Sequence, residues 1–593
     1  NNSNYNVRLS VGLNYNILKG LKFSSTYSLD HYFTRVYTFT PDYLKYDKKS
    51  EVQASNIAMT NIQTENILTY NLALPSEHKL ELMAGMTYNY DLLQNLSGTA
   101  KGGPTNSIKY AGEGWPSLFN DGGTVRAAQS FLTNQQEQSL LSFLGRAAYS
   151  YKKRYMAELS IRADGSSVFG KDVRWGTFPS VGLGWAFSEE HFMKKFWWLS
   201  FGKLRASWGK SGQKFQEPYL ALGVMEESNI FNGSLGLIPQ SMANKKLTWE
   251  ESDQYDLGLD LQMLDYRLKL KLDYYYKYSS KLLMQSYLPG NVFLATNMWD
   301  NASAISNEGI EFEAQYDVIR KKNWNWSVGF NLSHNKNMLR KTYNGEDLND
   351  KVLGRPVYGI YTFKDEGIVQ KEEDIPMYLN ASGKQIPLYF QSINNPLRVG
   401  GRKIKDQNYD GVIDDKDLYY AGSTLPAVYG GLNSHLEWKG LSFDVLFSYT
   451  ISRKVMNMYK NSAFTFTKDF GVIMNYFHAG DFWTTSNRDA KYPSLEFADK
   501  DYVGQFDGNV DSNIENISFL RLKQLVIGYQ IPKNWLKGSF IKDANVYLSG
   551  ENLFLLTNYS GVDPEIINPY SGKDDGTQYP LNRKVTLGLN LKF

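Results

Sequence analysis

Cysteine is absent from all 593 residues, which excludes structural disulfides and thiolate metal sites and leaves any oxidising compartment tolerable. Long apolar runs are missing too, and no stretch approaches the ~18 consecutive apolar residues of a membrane-crossing helix. Charge of one sign is not in excess: 64 Lys+Arg against 61 Asp+Glu leave +3, so no nucleic-acid footprint is expected. After Asn1 there is neither a basic n-region nor an apolar h-region, so these residues are not expected to act as a signal peptide. Catalytic signatures are also lacking. There is no Gly-x-Ser-x-Gly elbow and no His-Glu-x-x-His. His31, His78, His191, His334, His435 and His478 are scattered without a His-x-x-x-His pair, so no transition-metal site is expected. Gly209-Lys210-Ser211 has the tail of a phosphate loop, but Leu204 stands where the first glycine belongs. No enzyme is expected.

Aromatic residues are abundant instead. Tyr 42, Phe 32 and Trp 13 make up 15% of the chain, while the mean hydropathy is −0.44. A membrane β-barrel needs both properties, rings at the two interfaces and polar residues in the lumen. Period-2 alternation recurs from end to end. Tyr255, Leu257, Leu259, Leu261 and Met263 share one face against Asp256, Gly258, Asp260 and Gln262. Trp324, Trp326, Val328, Phe330 and Leu332 do the same against Asn325, Ser327, Gly329 and Asn331.

A soluble sandwich with one wet face would show this alternation as well, so the connections decide. Short links at Lys19–Gly20, Pro75–His78, Lys152–Arg154, Leu264–Asp265, Lys321–Asn323 and Lys439–Gly440 alternate with long ones near 94–135, 209–250, 284–305, 338–426 and 452–515. Outer-membrane barrels alternate short periplasmic turns with long outside loops in this way. The fold expected is all-β: a transmembrane antiparallel barrel, residues 1–593 forming one piece of it. About seventeen strands are counted. Bacterial single-chain barrels have even numbers, so the odd count leads to the expectation that further strands precede Asn1. Val585, Leu587, Leu589, Leu591 and Phe593 alternate with polar partners up to the last residue. Such a lipid-facing final strand resembles the signal read by the barrel-assembly machinery, carried here by Leu589, Leu591 and Phe593.

One loop motif is sharp. Asp406, Asn408 and Asp410 at positions 1, 3 and 5, Gly411 at 6, the Val412 carbonyl at 7, Asp414 at 9 and Asp417 at 12 have the spacing of a Ca²⁺ loop. Asp in place of Glu at position 12 predicts weaker binding, and the role expected is structural. An Asp-rich solvated turn is the alternative. Among aromatics in the outside loops, Trp115, Phe119, Tyr358, Tyr361, Phe363, Tyr378 and Tyr389 could stack on a sugar or pack against a peptide, or equally form loop cores.

Several ordered segments resemble the SusC/RagA-type TonB-dependent transporters. They include Arg174-Trp-Gly-Thr-Phe-Pro-Ser-Val-Gly-Leu-Gly-Trp185, Lys203-Leu-Arg-Ala-Ser-Trp-Gly209, Leu247-Thr-Trp-Glu250, Asn307-Glu-Gly-Ile-Glu-Phe312, the 406–417 loop, Phe519-Leu-Arg-Leu-Lys523, Ser549-Gly-Glu-Asn-Leu-Phe554 and Tyr559-Ser-Gly-Val-Asp-Pro-Glu565. The resemblance implies a 22-stranded barrel in the outer membrane of a Gram-negative bacterium, with an N-terminal plug and a TonB-engaging segment that this sequence does not contain. It further implies active import of oligomeric nutrients, glycans or peptides, a SusD-like surface lipoprotein as lid, and a dimer of such pairs. Outer-membrane lipid is the remaining expected partner. A passive porin is the runner-up reading; a barrel protease or lipase and a soluble carbohydrate-binding sandwich are weaker ones.

Overall fold

The computed structural model describes residues 2–110, 115–116, 118–121, 124–127, 129–215, 217–231, 234–289, 297–348, 351–458, 478–498 and 509–593. Chain contacts divide it into two compact units. One comprises Asn1–Ala186, Arg205–Tyr255 and Lys277–Ala304, the other Phe187–Leu204, Asp256–Tyr276 and Ile305–Phe593.

In the first unit, seven long strands follow one another: β1 (Asn2–Leu18), β2 (Leu21–Thr40), β3 (Glu51–Ala73), β4 (His78–Lys101), β5 (Gln129–Tyr151), β6 (Tyr155–Ser166) and β7 (Trp175–Trp185). Each pairs antiparallel with the next. The β3–β4 ladder runs from Glu51↔Lys101 to Ala73↔Lys79 without a shift. A one-residue slip would turn every apolar side chain to the wrong face, so the two-faced pattern fixes the register. Four strands run through both units: β8 (Leu199–Gln213), β9 (Glu250–Met263), β10 (Leu268–Tyr287) and β11 (Asn297–Lys321). The second unit continues with β12 (Trp324–Lys341), β13 (Val428–Trp438), β14 (Leu441–Asn457), β15 (Ile514–Gln530), β16 (Asp543–Thr557) and β17 (Lys584–Lys592). These six also pair in sequence order.

Among the described residues eighteen strands share the large sheet. One of them is the two-residue Lys573–Asp574, added parallel to β14; the other seventeen are the long strands, the number read from alternation. Each short link sits where the sequence placed it. Gly20 (φ 87°) and Gly440 (φ 91°) take the left-handed backbone those tight turns need. The long links are shorter than expected. β4 extends to Lys101 and β5 starts at Gln129, well inside the predicted 94–135 loop. There the ladder continues past the apolar band with polar pairs such as Gln94 with Gln135 (3.1 Å) and Thr99 with Ser130 (2.6 Å), because strand pairing uses backbone groups and needs no apolar face. Parts of the predicted 284–305 and 452–515 loops fall outside the described residues.

The core is unlike that of a soluble protein. Apolar side chains along the ladder are left open, Val585 at 68% and Leu587 at 76% exposure for example. The opposite face carries ion pairs, such as Arg146 held between Glu81 (3.1 Å) and Glu158 (2.7 Å). Dry clusters form in and beside the long loops instead. The first unit has one around Phe169, Phe178, Phe215, Leu247 and Trp249. The second has one around Phe363, Phe390, Leu397, Ile404 and Ile413. No helix among the described residues is long and apolar enough to cross a membrane, which says nothing of crossing by strands.

Candidate functional site

The longest described insertion, between β12 and β13, folds upon itself in the second unit. Four two-stranded patches organise it: Gly359–Thr362 with Tyr419–Ser423, Asp365–Ile368 with Arg402–Ile404, Met377–Leu379 with Gln385–Pro387, and a parallel pair of Tyr389–Phe390 with Val412–Ile413. They enclose Phe363, Leu388, Phe390, Leu397, Ile404 and Ile413 together with Val510, which comes from the next loop. Phe363 meets Phe390 edge-on at 5.3 Å.

The two loops are joined by polar contacts as well. Asn509 O accepts from Phe363 N (2.8 Å), and Phe363 O accepts from Asp511 N (3.0 Å). The Asp511 carboxylate accepts from Lys364 Nζ (2.7 Å), Tyr419 Oη (2.7 Å) and Asp365 N (2.9 Å). Burial works to raise the Asp511 pKa, but the Lys364 ammonium and these donors outweigh it, so it lies below the usual carboxylate range. Tyr419 is pushed up to about 12 by burial and by the Asp511 charge. Beneath them lies a closed ion pair, Arg402 Nη1 to Asp365 Oδ2 at 2.5 Å, with side chains 7% and 5% exposed. Ser512 Oγ (2.7 Å) and Gly367 N (2.9 Å) satisfy the rest of that carboxylate. None of this node was legible beforehand, because its partners are up to 147 residues apart and follow no spacing rule.

The aromatics named from sequence divide. Trp115 (6% exposed) packs against Val52 and Ala100 in the first unit. Tyr361 (9%) and Phe363 (7%) are likewise closed off. Tyr378 lies against the second-unit loop core and over Gly411. Trp115, Tyr361 and Phe363 are packing residues, since side chains so enclosed have little surface to give a ligand, whereas Tyr378 is only partly buried. Tyr358, tilted against Tyr570 at 5.4 Å, and Tyr389 remain half-buried. The side chain of Phe119 lies outside the described residues. Leu589 and Phe593 stand exposed on the final strand's apolar face, as does Leu591.

Residues 406–417 form a turn closed by its own side chains. Asp406 accepts from Tyr409 N (2.7 Å) and Gly411 N (2.9 Å). Asn408 accepts from Asp410 N, and Asp410 from Val412 N. Asp417, fully buried, accepts from Gln407 N (2.7 Å), Asn408 N and Asp414 N (2.8 Å). Gly411, at φ 87° and with no room for a Cβ beneath Tyr378, allows the sharp bend. Burial and the nearby Asp406 charge raise the Asp417 pKa, despite those three N–H donors. An all-oxygen donor set with two buried carboxylates in mutual repulsion suits a hard cation in kind. Among the described residues, however, no three His, Asp or Glu side chains are grouped so as to hold a metal.

Comparison with known proteins places the chain. The family described as "TonB dependent receptor-like, beta-barrel" matches residues 1–369, more than half of it. The chain belongs to that family. It is 30% identical over 589 residues to TonB-dependent receptor P26 of Formosa agariphila, covering 96% of this chain and 57% of that protein. It is 29% identical over 495 residues to TonB-dependent receptor SusC of Bacteroides thetaiotaomicron, covering 81% of this chain and 46% of SusC. The chain thus spans about half the length of the curated relatives it matches. The RagAB peptide importer in its 'closed-closed' state shares the fold, with a TM-score of 0.80 at 22% identity, over all of this chain and 62% of that one. A TonB-dependent receptor barrel is a β-barrel of the Gram-negative outer membrane, and the resemblance to SusC and to the RagAB fold agrees with that placement. Its short links therefore face the periplasm, and the Asp511 node and the 406–417 turn belong to the outside loops.

Proposed function

We propose that this receptor barrel forms the wall and outside loops of an active importer of oligomeric nutrients, glycans or peptides. The observation that carries the proposal is the family match over residues 1–369. The fold shared with a peptide importer agrees with the peptide class, and the glycan class rests on the resemblance in sequence to SusC/RagA-type transporters. In this reading TonB acts through an N-terminal region beyond this chain, and a SusD-like surface lipoprotein caps the outside loops, in a dimer of such pairs. Insertion would go through the barrel-assembly machinery reading Leu589, Leu591 and Phe593. The family favours this gated importer over an open porin. The test is uptake by cells producing the full-length protein, with and without a working TonB. Import should stop without TonB, and a surface lipoprotein with bound oligomer should co-purify in detergent. Undiminished uptake without TonB would leave the porin reading instead.

The 406–417 turn is proposed to take up a structural Ca²⁺, with oxygens from Asp406, Asn408, Asp410, Asp414 and Asp417 and the Val412 carbonyl. The buried, mutually repelling Asp406 and Asp417 support that reading, and a chelator experiment given in the Discussion tests it.

A further inference from the structure

The membrane-facing wall of the second unit is not smooth. A groove of about 400 Å³ opens on it, lined by Ala314, Val328, Phe330, Leu432, Ser434 and Val445, with almost no polar surface. Strand register explains the hollow. Val328, Ser434 and Val445 stand side by side across β12, β13 and β14, and all three are small. The row above, Phe330–Leu432–Phe447, and the row below, Trp326–Leu436–Phe443, are large. Phe330 and Tyr449 stack nearly parallel (6.1 Å, 2°) and stiffen the upper rim. At the lower rim Trp326 Nε1 donates to Ser434 Oγ (3.0 Å), so its indole is fixed and the one polar atom of the row is satisfied.

Towards the periplasmic turns the surface changes character. Trp324 lies directly opposite Trp438, both exposed, as in the aromatic girdle at a membrane interface. Just beyond, Lys439 N donates to Asn323 O (3.0 Å) and draws the two turns together. Exposed Lys321, Lys322 and Lys439 therefore share one edge, with the Lys439 ammonium 5.5 Å from the Trp438 ring centre. Glu437 stands on the opposite face of β13, with His435. From the Trp324–Trp438 row to the Val328–Ser434 row is four residues, or about 13 Å along a strand.

We propose that this face is a specific site for an anionic phospholipid. Its phosphate would lie against Lys321, Lys322 and Lys439, its glycerol between the tryptophans, and one acyl chain in the groove. Charge complementarity at the turns fixes the occupant's head, and the volume and apolar lining of the hollow suit its tail. At roughly the 30 Å³ of a water-sized group, the groove takes on the order of a dozen chain atoms. The site rests on the outer-membrane assignment but not on the importer reading, since a porin wall would bind the lipid equally.

The test is native mass spectrometry of the full-length protein in mild detergent, titrated with dipalmitoyl-phosphatidylglycerol and, separately, dipalmitoyl-phosphatidylcholine. One phosphatidylglycerol should be retained. Val328→Phe and Ser434→Phe, which fill the hollow, should lower the lipid-bound fraction at least tenfold. Lys322→Ala with Lys439→Ala should remove the preference for phosphatidylglycerol while leaving phosphatidylcholine binding unchanged. Leu257→Phe, at an exposed apolar position on another strand, is the control. Heat-dependent gel mobility checks that each barrel has folded, and Ser434→Leu replaces any filling variant that has not. Equal retention by the filling variants, or equal loss in the control, would overturn the proposal. So would a filling variant that separates a dimer with its lipid still bound, since the groove would then be a contact between copies.

Discussion

Arg402→Ala tests whether the outside insertion is held as a folded body or merely lies there. Arg402 and Asp365 are both closed to water, at 7% and 5% exposure, and meet at 2.5 Å. Removing one partner of such a pair costs about 3–5 kcal/mol, because the other is left as a buried uncompensated charge. Asp365 keeps two donors, Ser512 Oγ and Gly367 N, so the lower end, about 3 kcal/mol, is expected. That is roughly a hundredfold increase in the local opening constant, at 1.4 kcal/mol per factor of ten. Hydrogen exchange of the detergent-solubilised full-length protein reads this directly. Amides of Asp365–Ile368 and Arg402–Ile404 should lose about a hundredfold in protection, while β13 and β14 keep theirs. Arg402→Met combined with Asp365→Leu should recover most of the loss, since apolar groups of similar volume replace buried pairs at little cost. A loss under about fivefold, or a double variant no better than the single one, would refute the reasoning.

Other consequences follow from the same loops. Asp511 has a lowered pKa, so its stabilising share is present above the unfolded value of 3.8 and disappears as pH falls through the folded one. Tyr419, raised to about 12, contributes fully below its ordinary 10.0 and ceases to do so as pH rises through about 12. Proteolysis of the 362–365 and 509–513 segments should therefore increase below about pH 4 and above about pH 12, and Asp511→Asn should abolish the acid limb. Asp417 has the opposite sign: with its pKa raised, the metal-free turn gains stability as pH falls from neutral towards 3.8. Calcium, which needs the carboxylate, should reverse that trend and raise the melting temperature of the loops, and a chelator that changes neither quantity would exclude the ion. Tyr559 donates to Asp574 at 2.5 Å in a buried site, where burial and that carboxylate hold the phenol protonated. Tyr559→Phe leaves the acceptor with one donor fewer, at a cost of about 1–3 kcal/mol, detectable as faster exchange at Lys573–Asp574.

The wall was legible because its signal is local and repeated. Each strand alternates by itself, as 324–332 does, and the Lys439–Gly440 turn carries its own glycine, so no distant partner need be known. Strand ends were less so: Gln94 to Lys101 looks like loop because its side chains are polar, yet its backbone pairs as fully as that of Leu80. The loops were hardest. Tyr361 and Phe363 attract notice as exposed rings in a polar stretch, and only the return of Val510 against Phe363 and of Tyr420 against Tyr361 encloses them. Sequence could single out the 406–417 turn, whose ligand spacing is local, and could not see the Arg402–Asp365 pair, 37 residues apart in one insertion, or the Asp511 node, whose members lie on two loops.

The outside segments of the second unit are better regarded as an extension of the wall than as separate flaps. β14 carries a register shift between Thr450 and Arg453, with Ser452 in the left-handed region (φ 55°), and such a bulge re-aims the side chain that follows. Arg453 is thereby buried, and its guanidinium donates to Thr424 O (2.9 Å), Pro564 O (3.3 Å) and Ile567 O (3.5 Å). A rigid fork with five donors can satisfy carbonyls from two loops at once, which a lysine could not. Three residues further along, Met456 and Asn457 accept Lys573–Asp574 as a parallel strand, and Thr424 Oγ1 bonds Pro569 O (3.1 Å). The end of the long insertion and the loop before β17 are thus fixed to one strand, and Val510 and Asp511 fix a third loop to the insertion. What stays free to vary is the rim, where Met377, Leu379, Ile393 and Tyr409 are exposed. Substitution there leaves the core and its ion pairs intact, so a change of binding preference would cost this chain least at those positions.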